Sequence, residues 1–294
     1  MKNAILFIGT LLCWAPTWYT IKFQLGYVDP IISVFYRIAL SCFVLFSILL
    51  IQKKSLKFSL SHHFWFAILG ACLFSFNYIF FYLANTYLIS GIVCVAFSMN
   101  LVFNIVGEKI FFKKNASYNT LFAALLGFIG IFVIFNNEIL YFDLNNYEHI
   151  GIAFSFVATL FWSFGNMIHK RNSNKKFPLF PSIAYGMMYG SIFTLIAAKV
   201  SGAEIILELT SEYILALIYL SVFGTVLAFC IYLMLVDNIG PGRAGYVGVV
   251  MPVLALLIST IFENLEWSNN LLIGLPILMI GSVLIINQKT KVII

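Results

Sequence analysis

Ten stretches of mostly apolar residues, each close to twenty long and separated by short polar breaks, dominate the chain. They lie near residues 3–22, 31–51, 64–83, 88–106, 119–136, 150–168, 180–198, 213–235, 243–262 and 271–287. A helix rising 1.5 Å per residue needs about 20 such residues to cross ~30 Å of hydrocarbon, so each run is a candidate span. Inside a bilayer every backbone N–H and C=O must be paired within the protein, which leaves helices and closed barrels. Barrel strands alternate apolar and polar residues over about ten positions. The runs here are continuous and longer, so they predict helices. The first run follows Lys2 in the manner of a secretory leader, but it exceeds the usual 7–15-residue apolar core, and a span is expected there.

Composition agrees. Of 294 residues 62% are hydrophobic and 10% charged, whereas soluble domains carry about 25% charged residues. A surface with so few charges must face lipid. The net charge of +6 does not point to nucleic acid, because the bases sit in small clusters between spans and no basic run is interleaved with exposed aromatics. Fourteen of the 17 Lys and Arg fall on one side when the N-terminus is placed inside and ten crossings follow. Among them are Lys53, Lys54, Lys57, Lys170, Arg171, Lys175 and Lys176. The positive-inside rule therefore predicts cytoplasmic N- and C-termini; the membrane expected is a bacterial inner membrane. The five cysteines (Cys13, Cys42, Cys72, Cys94 and Cys230) all lie in apolar runs with no CxxC, which predicts buried thiols and no disulfide framework.

The chain repeats itself. Trp14, Lys22 and Pro30 recur as Trp162, Lys170 and Pro178, each 148 positions later, and Tyr82 and Gly130 are echoed by Tyr232 and Gly281. Five spans per copy is an odd number, so the second copy enters the membrane upside down. The expected fold is all-α: ten transmembrane helices as two inverted five-helix repeats, 1–146 and 147–294, forming one membrane domain. Inverted repeats are common in secondary transporters.

These features together resemble the drug/metabolite transporter superfamily, and in particular its EamA-type members. The resemblance rests on the 5+5 repeat, the segment WAPTWYTIK from Trp14 to Lys22, and Pro30 with Arg37 in the second span. It rests also on Gly107-Glu108-Lys109 closing the fourth, Met251-Pro252 and Glu263 in the ninth, and the glycines Gly127, Gly130, Gly274 and Gly281. It covers nearly the whole chain. It implies a transporter of small metabolites working by alternating access, and it leaves the substrate open. The fourth span departs from the family pattern in having no proline, so any kink there must arise otherwise.

Polar groups at membrane depth are costly and often functional. Phe97, Asn100, Asn104 and Glu108 fall on one helical face, a substrate-binding stripe or an interhelical hydrogen-bond seam. Glu108 is expected as a solvated helix end. Asn77 and Tyr78 in the third span, Trp162 and Asn166 in the sixth, and Trp14 with Trp18 in the first suit a cavity that grips an amphipathic solute by stacking and hydrogen bonding. Ordinary aromatic packing would use the same residues in a chain that is 17% aromatic. Arg37 lies about 10 Å below the outer end of its helix. It is expected to snorkel or pair with a helix end, or else to bind a substrate carboxylate. The structural role has the better support, because an arginine here is common in the resembling family whatever the substrate.

Gly186 and Gly190 form a GxxxG for close helix contact, within a monomer or across a homodimer. Gly240, Gly242 and Pro252 are candidate hinges. His62, His63, His149 and His169 show no metal spacing, and neither a phosphate loop nor HExxH occurs, so no catalytic residue, metal or cofactor is expected. The reading is a secondary transporter of a small amphipathic metabolite, an amino acid or similar, with membrane lipid as its surroundings. The alternatives are an intramembrane enzyme acting on lipid and a non-transporting assembly subunit.

Overall fold

The protein is seen in a computed structural model that describes residues 2–114, 118–136 and 147–286. The boundary expected between 146 and 147 falls at the edge of a segment outside the described residues, as do Lys289 and Lys291. The described residues form ten helical rods and no strand. We number them α1 (Lys2–Thr20, continued by a 3₁₀ turn Ile21–Gln24), α2 (Pro30–Ile51), α3 (Leu60–Tyr87), α4 (Ser90–Phe112) and α5 (Tyr118–Ile134). The second five are α6 (Glu148–Asn174), α7 (Leu179–Ser201), α8 (Ser211–Ile239), α9 (Pro241–Phe262) and α10 (Asn269–Ile286). Eight are long and apolar enough to span a membrane by length and composition, and α5 and α10 contain shorter apolar helices. The expected all-helical architecture of ten helices is therefore the one observed.

Local chemistry sets the ends. Asp29 accepts a hydrogen bond from the Ile31 N–H at 2.7 Å and Pro30 opens α2, satisfying one exposed donor and removing another. Thr210 caps α8 in the same way through the Tyr213 N–H. Gly202 ends α7 at φ +77°, and Gly240 ends α8 at φ +86°, conformations that a side chain would strain. Pro241 then starts α9 with a fixed φ. Large apolar residues such as Leu12, Phe43 and Ile261 stand exposed on the outer surfaces, as lipid-facing residues must.

Four irregularities shape the interior, and they come in two pairs. A π-helical turn interrupts α3 at Cys72–Phe76 and α8 at Val222–Leu227, 150 positions apart. A break divides α4 at Ser98–Met99 and α9 at Gly245–Tyr246. These last two helices cross where they break: Ser98 Oγ donates to Gly248 O at 2.9 Å. A side chain on Gly248 would strike the Asn100 amide at 1.8 Å, so the crossing requires glycine. The missing proline of α4 is thus replaced by a break at a helix crossing. Pro252 lies inside the continuous stretch Val247–Phe262, one to two turns beyond the break in α9.

The GxxxG of α7 is used within the chain. A Cβ on Gly190 would stand 2.7 Å from Phe74 O in the π-helical turn of α3, and Gly70 packs against the Gly186 carbonyl. Helices α5 and α10 pack chiefly on each other, through Gly130 and Gly274.

Candidate functional site

Trp14, Thr17 and Trp18 lie at i, i+3 and i+4 on α1, so their side chains share one face. That face meets α6 at the centre of the bundle. The ring centroids of Trp14 and Trp162, the repeat-related tryptophans, are 5.2 Å apart at 74°, an edge-to-face contact. Phe229 of α8 touches both rings at 5.3 Å, and Tyr232 touches both at 4.9 and 5.2 Å. Phe97 continues the box, 5.2 Å from Trp162 and 5.6 Å from Trp18. Beside this cluster lies a cavity of about 50 Å³ lined from α1, α2, α3, α4, α6, α8 and α9. At 10–15 Å³ per water it holds a few waters.

One wall of the cavity is charged. Arg37 is 2% exposed, so it neither snorkels nor reaches bulk water. Its Nε donates to Thr225 Oγ1 at 3.0 Å, Nη1 to Tyr82 Oη at 3.3 Å and Nη2 to Gly224 O at 3.4 Å. Its guanidinium carbon sits 4.5 Å from the Tyr78 ring centre, a cation–π contact. The partners exist because of the π-helical turn in α8. Such a turn disrupts the regular i→i+4 ladder, and here the Gly224 carbonyl also accepts from Trp14 Nε1 at 2.9 Å. Thr225 Oγ1 meanwhile donates to Leu220 O at 2.8 Å. Tyr82 Oη in turn donates a hydrogen bond to Gln24 Oε1 at 2.6 Å.

Of the residues expected at a site, the structure brings Trp14, Trp162, Asn77, Tyr78, Phe97 and Arg37 together around this cavity. It does not bring Asn100, Asn104 or Asn166 to it. The stripe read from α4 is divided by the Ser98–Met99 break: Phe97 faces the cavity, while the amides turn toward α9 and α6. Asn100 Nδ2 donates to Phe97 O at 2.8 Å in its own helix and packs on Gly245 and Gly248. Asn104 links three helices, donating to Pro241 O at 3.3 Å and accepting from Asn166 Nδ2 at 3.4 Å. Asn166 also donates to Tyr232 Oη at 3.0 Å. Glu108 differs from its expectation as a solvated end. It is 9% exposed, takes hydrogen bonds from Lys114 at 2.9 and 3.0 Å, and lies against Gly240 and Gly242.

Polar clusters close the bundle at both ends. At one end, Lys22 donates to Asn85 O and Leu88 O at the C-terminus of α3, each at 3.1 Å, and lies 3.7 Å from Glu263. Glu263, just past α9, in turn accepts from Ser90 Oγ and the Ser90 N–H at the start of α4. At the other end, Lys170 donates to Asp237 O in the last turn of α8 at 3.3 Å, and His169 Nε2 meets Asp237 Oδ1 at 2.9 Å. Asn238 beside them bonds Asn3, at the start of α1, whereas Lys22 lies at the far end of α1. The repeat-related lysines therefore make the same contact, with the carbonyl end of the third helix of each half, on opposite sides of the molecule.

Thr225, Gly224, Phe229 and Met251 also build the site, and the sequence reading did not assign them to it. Met251 was visible as part of a motif. The π-helical turn that presents Gly224 and Thr225 leaves no residue pattern by which it could be found.

Rod-like apolar helices packed around an aromatic cavity define a polytopic helical membrane protein. The chain belongs to the EamA-like transporter family, whose model matches residues 1–136 and 149–287. It is 24% identical over 279 residues to an uncharacterized transporter of Clostridium kluyveri, covering 91% of this chain and 87% of that protein. It is 23% identical to the uncharacterized transporter YvbV of Bacillus subtilis, covering 99% and 93%. A solved crystal structure shares the fold with a TM-score of 0.69 at 16% identity, covering 96% of each chain. Among the described residues no group of three or more metal-ligating side chains occurs.

Proposed function

We propose that this protein is a secondary transporter that carries a small amphipathic metabolite, such as an amino acid, by alternating access. The halves that move are residues 1–146 and 147–294, in a bacterial inner membrane with both termini cytoplasmic. The observation that carries this reading is the central aromatic cavity, lined from both halves and with a polar closure at each end. A cavity between two matched closures is what alternating access requires: one closure opens while the other holds. The cytoplasmic placement of the termini rests on the basic residues, which gather on the N-terminal side.

Purified protein in liposomes, supplied with a panel of labelled amino acids and related solutes, should take up or exchange at least one. Failure with every member, in vesicles that retain folded protein, overturns the transport reading. The two closures make a second test. In a cysteine-free background carrying Thr17→Cys at the cavity, Lys22→Met should speed labelling by an impermeant thiol reagent from the side opposite the N-terminus. Lys170→Met should do so from the N-terminal side. Opening on the same side in both variants contradicts alternating access through these closures.

A further inference from the structure

Three polar groups in the cavity wall are left unmatched by the protein: Arg37, Asn77 Oδ1 and the Trp162 Nε1–H. A guanidinium has five N–H donors. Three of those on Arg37 are used by Thr225, Tyr82 and Gly224, which leaves one on each terminal nitrogen. The second group is Asn77 Oδ1, in a side chain 2% exposed that lines the same cavity and has no hydrogen-bond partner. Thr17 cannot donate to Asn77 Oδ1, since its hydroxyl proton is committed to Trp14 O at 2.6 Å.

The charge of Arg37 is unmatched as well. Among the described residues no Asp or Glu pairs with it, and it is the one charged residue lining the cavity. Its protein partners are two hydroxyls, a carbonyl and a ring, all neutral. A buried charge without a counter-ion is strongly unfavourable. If the side chain served only to clamp the turn in α8, neutral donors would do so without that penalty. The charge therefore has its use in the cavity.

We propose that the solute brings a carboxylate, or an anionic group of the same shape, to Arg37 and a hydrogen-bond donor to Asn77. Its apolar body rests on Trp14, Trp162 and Phe97. The two free N–H groups sit on different terminal nitrogens, the arrangement that meets both oxygens of one carboxylate. A bare amine is disfavoured beside the guanidinium. An amino acid satisfies two of these groups at once, its carboxylate at Arg37 and its ammonium at Asn77. This inference rests on the transport reading and narrows its substrate class.

The test compares acids with their own amides on protein free to open in detergent or liposomes, read by quenching of the tryptophans that line the cavity. The probe pairs are acetate and acetamide, hydrocinnamate and hydrocinnamamide, and L-phenylalanine and L-phenylalaninamide, up to millimolar concentrations. In every pair that responds, the acid should bind at least about tenfold more tightly, as expected for hydrogen bonds to a charged group. Arg37→Met should erase that preference, and Arg37→Lys should keep part of it. The Met variant leaves no neighbour stranded, because Gly224 O keeps Trp14, Tyr82 keeps Gln24 and Thr225 keeps Leu220. Asn77→Leu should weaken L-phenylalanine several-fold and leave hydrocinnamate nearly unchanged.

Amides binding as well as acids, no response to any acid, or an acid preference that survives Arg37→Met would each overturn the proposal. The wild-type comparison stands even if a variant does not fold. Uptake of an amine or neutral solute by the same liposomes, with no acid preference, sinks the anionic subsite and leaves transport standing. No uptake of any solute sinks the transport reading, while the quenching still judges the subsite.

Discussion

The π-helical turns of α3 and α8 occupy matching positions in the two halves, yet they are held by different forces. The turn at Cys72–Phe76 is fixed by close packing. Gly186 and Gly190 of α7 let Phe74 approach to van der Waals contact, and one neutral hydrogen bond joins Thr194 to Ser75 at 2.9 Å. The turn at Val222–Leu227 is fixed by polar contacts from α1 and α2. Trp14 and Arg37 take the Gly224 carbonyl, and Ser41 Oγ donates to Ser221 O at 3.1 Å. The repeat thus preserves a backbone shape while the chemistry that supports it has diverged. Among the described residues, only the turn in α8 holds a charged side chain at the cavity.

If packing holds the first turn, filling its glycine should do the greatest harm. A Cβ on Gly190 meets the Phe74 backbone oxygen at 2.7 Å, an atom that cannot rotate away. Gly190→Leu should give little or no folded protein, and Gly190→Ala should cost about 1–3 kcal/mol, the usual range for overpacking. Denaturant titration in detergent measures this, and a stable leucine variant would refute the packing account.

The second turn should instead be sensitive to loss of a single oxygen. Thr225→Val keeps the shape but strips Arg37 Nε of its acceptor. A hydrogen bond to a charged group contributes about 1.5–3 kcal/mol, so a loss of that order is expected. No change in thermal midpoint would show that Arg37 finds another acceptor there.

The parallel change in the first turn should be milder. Thr194→Val removes a neutral hydrogen bond between buried hydroxyls, and such bonds within membranes average about 0.6 kcal/mol. If unfolding measurements put the Thr194 and Thr225 changes on a par, the distinction between a packed and a charged turn fails.

Gly127, outside both turns, sets the baseline. A Cβ there meets none of the described residues within 4 Å, so Gly127→Ala should change stability by less than about 0.5 kcal/mol. A larger loss would reveal a contact in α5 that its packing does not show.

Much of the architecture was legible before any coordinates. The ten runs read from hydropathy match the ten helices to within a few residues at most ends. The tryptophans picked out by the 148-residue spacing lie in ring contact at 5.2 Å, which the spacing itself did not predict. The site was legible in part. Asn77 and Trp162 were picked out as polar or aromatic residues mid-span, and they line the cavity. Asn100 was picked out on the same grounds and packs instead at the crossing of α4 and α9. Nothing in the sequence separates the two cases, because both are buried amides in apolar helices.

Sequence alone determined the number of long apolar helices and roughly where each lies. Those properties are local: an apolar run partitions into lipid, and Asp29, Pro30, Gly202 and Gly240 act on their own stretch of backbone. Which faces of the helices meet was decided only in the tertiary structure. Lipid tails are as apolar as leucine, so hydrophobicity does not tell an inward face from an outward one. Contacts between distant segments decide it, such as Gly248 against Asn100, Gly190 against Phe74 and Arg37 against the opened turn of α8. The same contacts set where α4 breaks and how Arg37 is presented to the cavity.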